Sequence, residues 1–304
     1  MTKKNILLLA IGALFTACTG TQLTPSDADV NYFEVDASDT SAEGKLRRDF
    51  YKETGAYLLF SDTLRRGDKT LTVDPEYSIT ITGDYYHNNY LYKYEYLQED
   101  KEKLAAADFL RGYIVKYASA KALPYSFLVV KEILQYPYDK KLKEYDLEKP
   151  KKGLVFIQGM YTSAVAGLAE LTDDASRTKT QQLILNTMVK TALKKEEEDK
   201  FEKFYAYSLP YYDKSYDSDN ISEMPDVKDL KELGFLKAYS FKPKKRMSFY
   251  AQNKDKEVFI DELLKKSAAK WRQEYKDYPL VVGKLETLLA MTKSLGFDLS
   301  YLDR

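Results

Sequence analysis

Cys18 and His87 are the only cysteine and the only histidine in the chain, so any chemistry needing a thiolate or an imidazole has one copy of each to work with. Cys18 stands at the end of a leader built like a bacterial lipoprotein signal. Lys3 and Lys4 form its positive region, Ile6 to Phe15 its apolar region, and Leu14-Phe15-Thr16-Ala17 the approach to cleavage. The chemistry expected of Cys18 is lipidation, which turns the thiol into a membrane anchor. Phe15 departs from the small or branched aliphatic residue usual at its place. Two plainer readings are an ordinary signal peptide with an incidental thiol and a short membrane anchor. The apolar run from Ile6 to Ala17 is shorter than the roughly 20 residues that span a bilayer, and secreted domains normally carry cysteines in pairs. Residues 1–18 are therefore expected to be a lipoprotein signal, placing the protein on the cell envelope, with the outer membrane favoured. Thr19-Gly20-Thr21-Gln22 carries no acid and leaves the leaflet open.

A Ser-His-Asp triad would have to use His87, and no G-x-S-x-G elbow is present. A cysteine nucleophile would have to be Cys18, which the anchor consumes. The 13 glycines are scattered singly, so no phosphate-cradling loop is formed. His87, between Tyr86 and Asn88, reads as a hydrogen-bonded surface residue. A carboxylate pair can hydrolyse a glycoside without histidine, but 47 acidic residues give no means of choosing two. Removing Lys3 and Lys4 leaves 45 basic against 47 acidic residues, which excludes the basic excess expected of a nucleic-acid binder. No cofactor motif is found.

Aromatic content offers the remaining binding candidates: 27 Tyr and 14 Phe, but one Trp. Tyr205, Tyr207, Tyr211, Tyr212 and Tyr216 crowd around Pro210. Their rings either stack on a sugar or hold an extended peptide, or they cover the core beneath the loop. Lys242, Lys244, Lys245 and Arg246, with Phe241, Phe249 and Tyr250 nearby, form either a surface for acidic headgroups or a partner, or a solvated loop.

The elements that must position these residues follow from periodicity. Residues 19–44 are polar and rich in Thr, Ser and Asp, and read as a flexible tether; residues 45–304 form the folded domain. Asp49 to Phe60 predicts a helix, a stop at Gly55 and a buried strand. Leu71-Thr72-Val73 and Tyr77 to Thr82 flank Asp74-Pro75 as a hairpin. From Tyr96 to Tyr117 the apolar spacing is helical. Tyr125 to Val130, Leu154 to Ile157 and Tyr161 to Leu171 read as strands. Arg177 to about Tyr207 reads as one long helix, with Glu196 to Asp199 on its solvated side. Val227 to Leu233 is a short helix stopped by Gly234, Phe241 to Arg246 a basic loop, Lys256 to Trp271 an amphipathic helix, and Pro279 to Leu295 a last helix.

Several phrases in this order resemble the zinc metallopeptidase lipoproteins found beside TonB-dependent outer-membrane uptake systems. They are Phe50-Tyr51-Lys52-Glu53-Thr54-Gly55 before a strand, Leu123-Pro124-Tyr125 before the next, Leu233-Gly234-Phe235-Leu236-Lys237-Ala238-Tyr239, and the tail from Lys284 through Leu299-Ser300-Tyr301-Leu302. The resemblance spans most of the mature chain. It implies an α+β, zincin-like fold, with a small mixed sheet packed on long helices and a mostly helical C-terminal half. It also implies an HExxH motif on the long helix, in which two His one turn apart hold zinc and the Glu activates water. Here Asn186, Thr187 and Lys190 occupy those places, and none can do that work. A third, acidic ligand is implied on a later helix, where Asp255, Glu257, Asp261 and Glu262 stand. Acids near a helix start also suit the macrodipole without any metal. The combined expectation is a non-catalytic, lipid-anchored protein that binds a ligand or partner in an envelope uptake system, with no metal. A hydrolase using carboxylates or an atypical metal site, and a structural envelope protein without a small ligand, are the alternatives.

Overall fold

The structure, a computed structural model, describes residues 30–67, 69–75, 90–139 and 141–303. Cys18, His87 and the expected strand from Tyr77 to Thr82 lie outside the described residues. The Ser41 hydroxyl accepts the Gly44 N–H at 2.9 Å and opens α1 (Ala42–Thr54); Gly55, at φ 77°, closes it. β1 (Tyr57–Leu59) follows, fully buried.

The chain ahead of α1 is not a free tether over its described part. Tyr32 and Phe33 pack against a buried apolar cluster that includes Leu59. Arg47 donates to the carbonyls of Leu58 and Phe33, and Arg48 to those of Asp36 and Asp39. Residues 30–44 thus belong to the folded unit, which begins before the expected 45. Polar composition concealed two aromatic anchors, and the carbonyls of Phe33, Asp36 and Asp39 are captured by arginines of α1.

Next come β2 (Thr63–Arg66) and β3 (Lys69–Thr72), which pair with each other across the turn at Gly67. Leu71 stands opposite Leu64 of β2. After β4 (Tyr90–Glu95) and α2 (Asp100–Phe109), the chain forms β5 (Ser126–Val130), β6 (Glu132–Asp139), β7 (Glu144–Tyr145), β8 (Phe156–Ile157) and β9 (Thr162–Ala166). β1, β5 and β9 run parallel, with β8 antiparallel at the edge. All residues of those three parallel strands are buried, which is why they read as continuous apolar runs. Alternation still sorts their faces. Leu58, Phe127, Val129 and Val165 enter the large core under the helices, whereas Leu59, Leu128, Val130 and Ala164 enter a smaller one. Antiparallel β4 and β6 contribute Tyr92, Tyr94 and Ile133 to that smaller core. β4 lies just ahead of the helical spacing that starts at Tyr96, where no element is expected, and its half-exposed Tyr-Leu-Tyr-Lys-Tyr-Glu pattern alternates at the period of a strand.

Asp173 caps α3 (Asp174–Lys195) by accepting the Ser176 N–H, and Lys194 and Lys195 lie in its last turn. The expected helix to Tyr207 is broken. Glu196 is extended, a 3₁₀ turn runs Glu198–Phe201, and α4 (Glu202–Ala206) resumes. Glu198 is exposed as expected, but it stands in the 3₁₀ turn rather than on a continuing helix, and it accepts from the Lys256 ammonium and the Tyr205 hydroxyl. β10 (Ser215–Tyr216), β11 (Ser240–Lys242) and β12 (Arg246–Ser248) form an antiparallel sheet in the order β10-β12-β11. The expected basic loop is thus a β-hairpin, with Lys244 at φ 60° in its turn. α5 (Gln252–Leu263) and α6 (Ala268–Glu274) replace the single helix expected from Lys256 to Trp271, and α7 (Pro279–Ser294) ends before Gly296. The chain is α+β with several small sheets and a helix-rich C-terminal half. Among the described residues no helix is long and apolar enough to cross a membrane.

Candidate functional site

α3 and α5 lie against each other along a polar seam whose register is regular. The Asn186 amide donates to the Leu264 carbonyl at 3.2 Å, Lys190 to Asp261 at 2.5 Å and Lys194 to Glu257 at 3.0 Å. As the α3 number rises by four the α5 number falls by three or four, so the helices are antiparallel and successive turns meet. Asn186 is fixed from its other side as well, since its carbonyl accepts the Tyr301 hydroxyl at 2.6 Å. Thr187 turns its hydroxyl back onto the Leu183 carbonyl, at 2.7 Å.

This seam borders a cleft of about 770 Å³, within the range of small-molecule sites. Asn186, Thr187 and Lys190 form part of one wall, with Thr191 and Lys194 beyond them on α3. Asp261 and Glu262 of α5, with Lys265 just past its end, form the opposite wall. Lys231 and Lys237 close the third side, and Leu236, Val258, Leu264 and Tyr275 supply its apolar surface. The three residues singled out on α3 therefore share one cleft with two of the four acids considered beside them.

Those four acids have different fates. Asp261 and Glu257 are the exposed members of the seam. Glu262 is nearly buried. Burial alone pushes its carboxyl up, but donors from Lys266, Lys265 and Tyr275 outweigh it and hold the group at about 2. Asp255 is not an exposed acid at a helix start, and it does not face the cleft. It is wholly buried, its Oδ2 2.6 Å from the Lys284 ammonium, with the Tyr212 hydroxyl donating to the same oxygen at 2.8 Å. Burial pushes Asp255 up and Lys284 down to about 8, each opposed by the partner's charge. Four rings surround the ammonium, those of Phe204, Tyr212, Phe235 and Phe259, with centroids 4.7 to 5.2 Å away. Periodicity did not single out Lys284. The available signal was one lysine inside the otherwise apolar Pro279-Leu280-Val281-Val282-Gly283-Lys284-Leu285, where a charge needs a buried partner.

The tyrosines from 205 to 216 turn inward. Tyr205 and Tyr216 are buried. The Tyr205 hydroxyl serves Glu198 and Tyr212 serves Asp255. Tyr211 packs on Phe249 at 5.8 Å between centroids. Tyr207 lies on Gly283, where an added Cβ would come within 2.5 Å of its ring. None of the five lines the cleft beside Asn186, and Tyr207, Tyr211 and Tyr212 stay half-buried. Lys242, Lys244, Lys245 and Arg246 are exposed on the β11–β12 hairpin, outside that cleft, while Phe249 is buried beneath it.

Among the described residues no group of three or more His, Cys, Asp or Glu side chains is placed to hold a metal ion. At the seam the donor set consists of an amide, a hydroxyl and an ammonium beside Asp261, and the ammonium is itself a cation seated on the carboxylate. These residues do not fit zinc, which takes Cys, His or carboxylate ligands. No family model, no curated protein and no solved structure matches the chain.

Proposed function

We propose that this protein is a lipid-anchored, non-catalytic relative of the envelope zinc metallopeptidases, with a zincin-like scaffold, which uses the cleft between α3 and α5 to hold a ligand or partner in an uptake system. The observation that carries this reading is the Lys190–Asp261 contact. The resemblance calls for a zinc ligand at position 190 and an acidic ligand on a later helix, and here a side-chain ammonium sits 2.5 Å from the carboxylate. Lys190 thereby supplies the positive charge that a divalent ion supplies in the enzymes, without a Lewis acid or a site for activated water. A cleft of small-molecule size remains next to the pair. Anchoring through Cys18 and the envelope setting come from the leader and the resemblance.

The test is made on purified protein lacking the leader. The reading expects no hydrolysis of a denatured protein substrate with or without added zinc, and no effect of a chelator. Chelator-sensitive cleavage copurifying with the protein and abolished by Asp261→Asn would overturn it. Mass spectrometry of the full-length protein from membranes tests the anchor: a mature N-terminus at an acylated Cys18 is expected, and an unmodified N-terminus elsewhere would remove the anchor from the account.

A further inference from the structure

The charged side chains around the cleft are unequally divided. Lys190 and Lys194 come from α3, Lys265 from the turn just after α5, and Lys231 and Lys237 from the facing segment, against Asp261 and Glu262 as the acids of the lining. Ammonium groups thus approach from three walls. Glu257 and Asp229, paired with Lys194 and Lys231, lie just outside the lining. These pairs are largely in water: Lys190–Asp261 and Lys194–Glu257 keep side-chain exposures of 40%/53% and 43%/44%. Pairs of that kind are worth only about 0–1 kcal/mol, so a lysine can exchange its carboxylate for an incoming one at little cost. Lys237 is exposed and makes no ion pair with another described residue. Between the lysines, Leu236, Val258 and Tyr275 offer apolar contact. A small inorganic anion would use the charges and leave that surface idle, whereas a purely apolar ligand would strand the lysines.

We infer that the cleft takes an acidic peptide segment, with carboxylates that meet the Lys194 and Lys237 walls and an apolar side chain between them that rests on Leu236 and Tyr275. This rests on the reading of the cleft as a binding site and adds the chemical class of its occupant. Lysines act here as flexible point charges, so recognition would follow charge and apolar content more than a fixed sequence, and affinity would fall with salt.

The test is an NMR titration of the isotope-labelled domain with three probes: a terminally capped peptide of alternating Asp and Leu, the same peptide with Asn for Asp, and inorganic phosphate. The Asp peptide is expected to shift signals of Thr191, Leu236, Val258 and Lys265, to bind more weakly as salt is raised, and to lose about tenfold in affinity in the Lys194→Gln/Lys237→Gln variant. Both lysines are exposed, so the variant folds as the parent does, which its unchanged remote signals would show. Equal binding of the Asp and Asn peptides would overturn the anionic inference while leaving the cleft as a binding site. Equal binding of phosphate would reduce it to a bare anion site and overturn the peptide. Absence of binding by all three overturns the inference, and shifts from the Asp peptide confined to residues away from the cleft would bring down the binding reading as well.

Discussion

Lys284 Nζ lies 2.6 Å from Asp255 Oδ2, and neither side chain has any exposed surface. The pair joins α7 to the start of α5, inside the aromatic cage formed by Phe204 of α4, Tyr212 of the following loop, Phe235 and Phe259 of α5. Taking two charges out of water is costly, and what remains after one is deleted is worse than either the pair or its apolar replacement. Lys284→Met and Asp255→Ala are each expected to lower unfolding stability by about 3–5 kcal/mol. Lys284→Met combined with Asp255→Ala should lose far less than the sum of the two in urea denaturation. A double variant as unstable as the sum of the singles would show that the cage requires the charges themselves.

The acid limb of stability should carry the signature of Glu262. Its ordinary value of 4.5 is lowered to about 2 in the folded state, so the unfolded chain binds the proton first as pH falls. The stabilisation is fully present above 4.5 and is lost as pH drops toward about 2. The stability difference between the parent and Glu262→Gln, measured by denaturant melts across that window, should shrink steadily with falling pH. A difference that stayed constant would contradict the proposed role of Lys265, Lys266 and Tyr275 as its donors.

Gly283→Ala tests the packing of the tyrosine loop. The new methyl meets the Tyr207 ring at 2.5 Å, an overlap expected to cost about 1–3 kcal/mol. Tyr207→Ala in the same chain should absorb most of that penalty, as a double-mutant cycle would show. Strict additivity would mean that the ring does not rest on α7.

The seam itself should be nearly silent in stability. Lys190→Met and Asp261→Asn, at exposed positions, are each expected to change it by less than about 1 kcal/mol. Tyr301→Phe, which removes the donor to Asn186 Oδ1, should cost about 1 kcal/mol. Thermal or chemical melts of the three variants check the order; a larger loss from Lys190→Met than from Tyr301→Phe would contradict it.

Local signals carried the sequence reading as far as local physics reached. Ser41 and Gly55 bound α1 by capping and left-handed geometry, and the three parallel strands show themselves as continuous apolar runs because both faces are covered. The break at Glu196 was not legible, since the residues after it keep a helix-compatible pattern, and the contacts of Glu198 beyond it, to Lys256 and Tyr205, are tertiary. Tyr32 and Phe33 were hidden in a polar segment whose order depends on carbonyls captured by Arg47 and Arg48. At the site, spacing alone places Asn186, Thr187 and Lys190 on one face of α3. The partner of Lys190 is different, because four acids of α5 were equivalent in sequence and only the antiparallel register selects Asp261. The same register turns Asp255 away toward Lys284, a pairing 29 residues apart that no periodicity reports.

Zinc titration calorimetry on the parent and on the Asn186→His/Thr187→Glu/Lys190→His variant tests most directly whether the seam is a metal site whose ligands have been replaced. The substitutions restore two imidazoles one turn apart with a carboxylate between them, opposite Asp261. The account predicts no tight zinc binding by the parent and one zinc per chain in the folded variant, with that zinc lost again on Asp261→Asn. Stoichiometric, tightly held zinc in the parent at this seam, or a folded variant that takes up none, would contradict it.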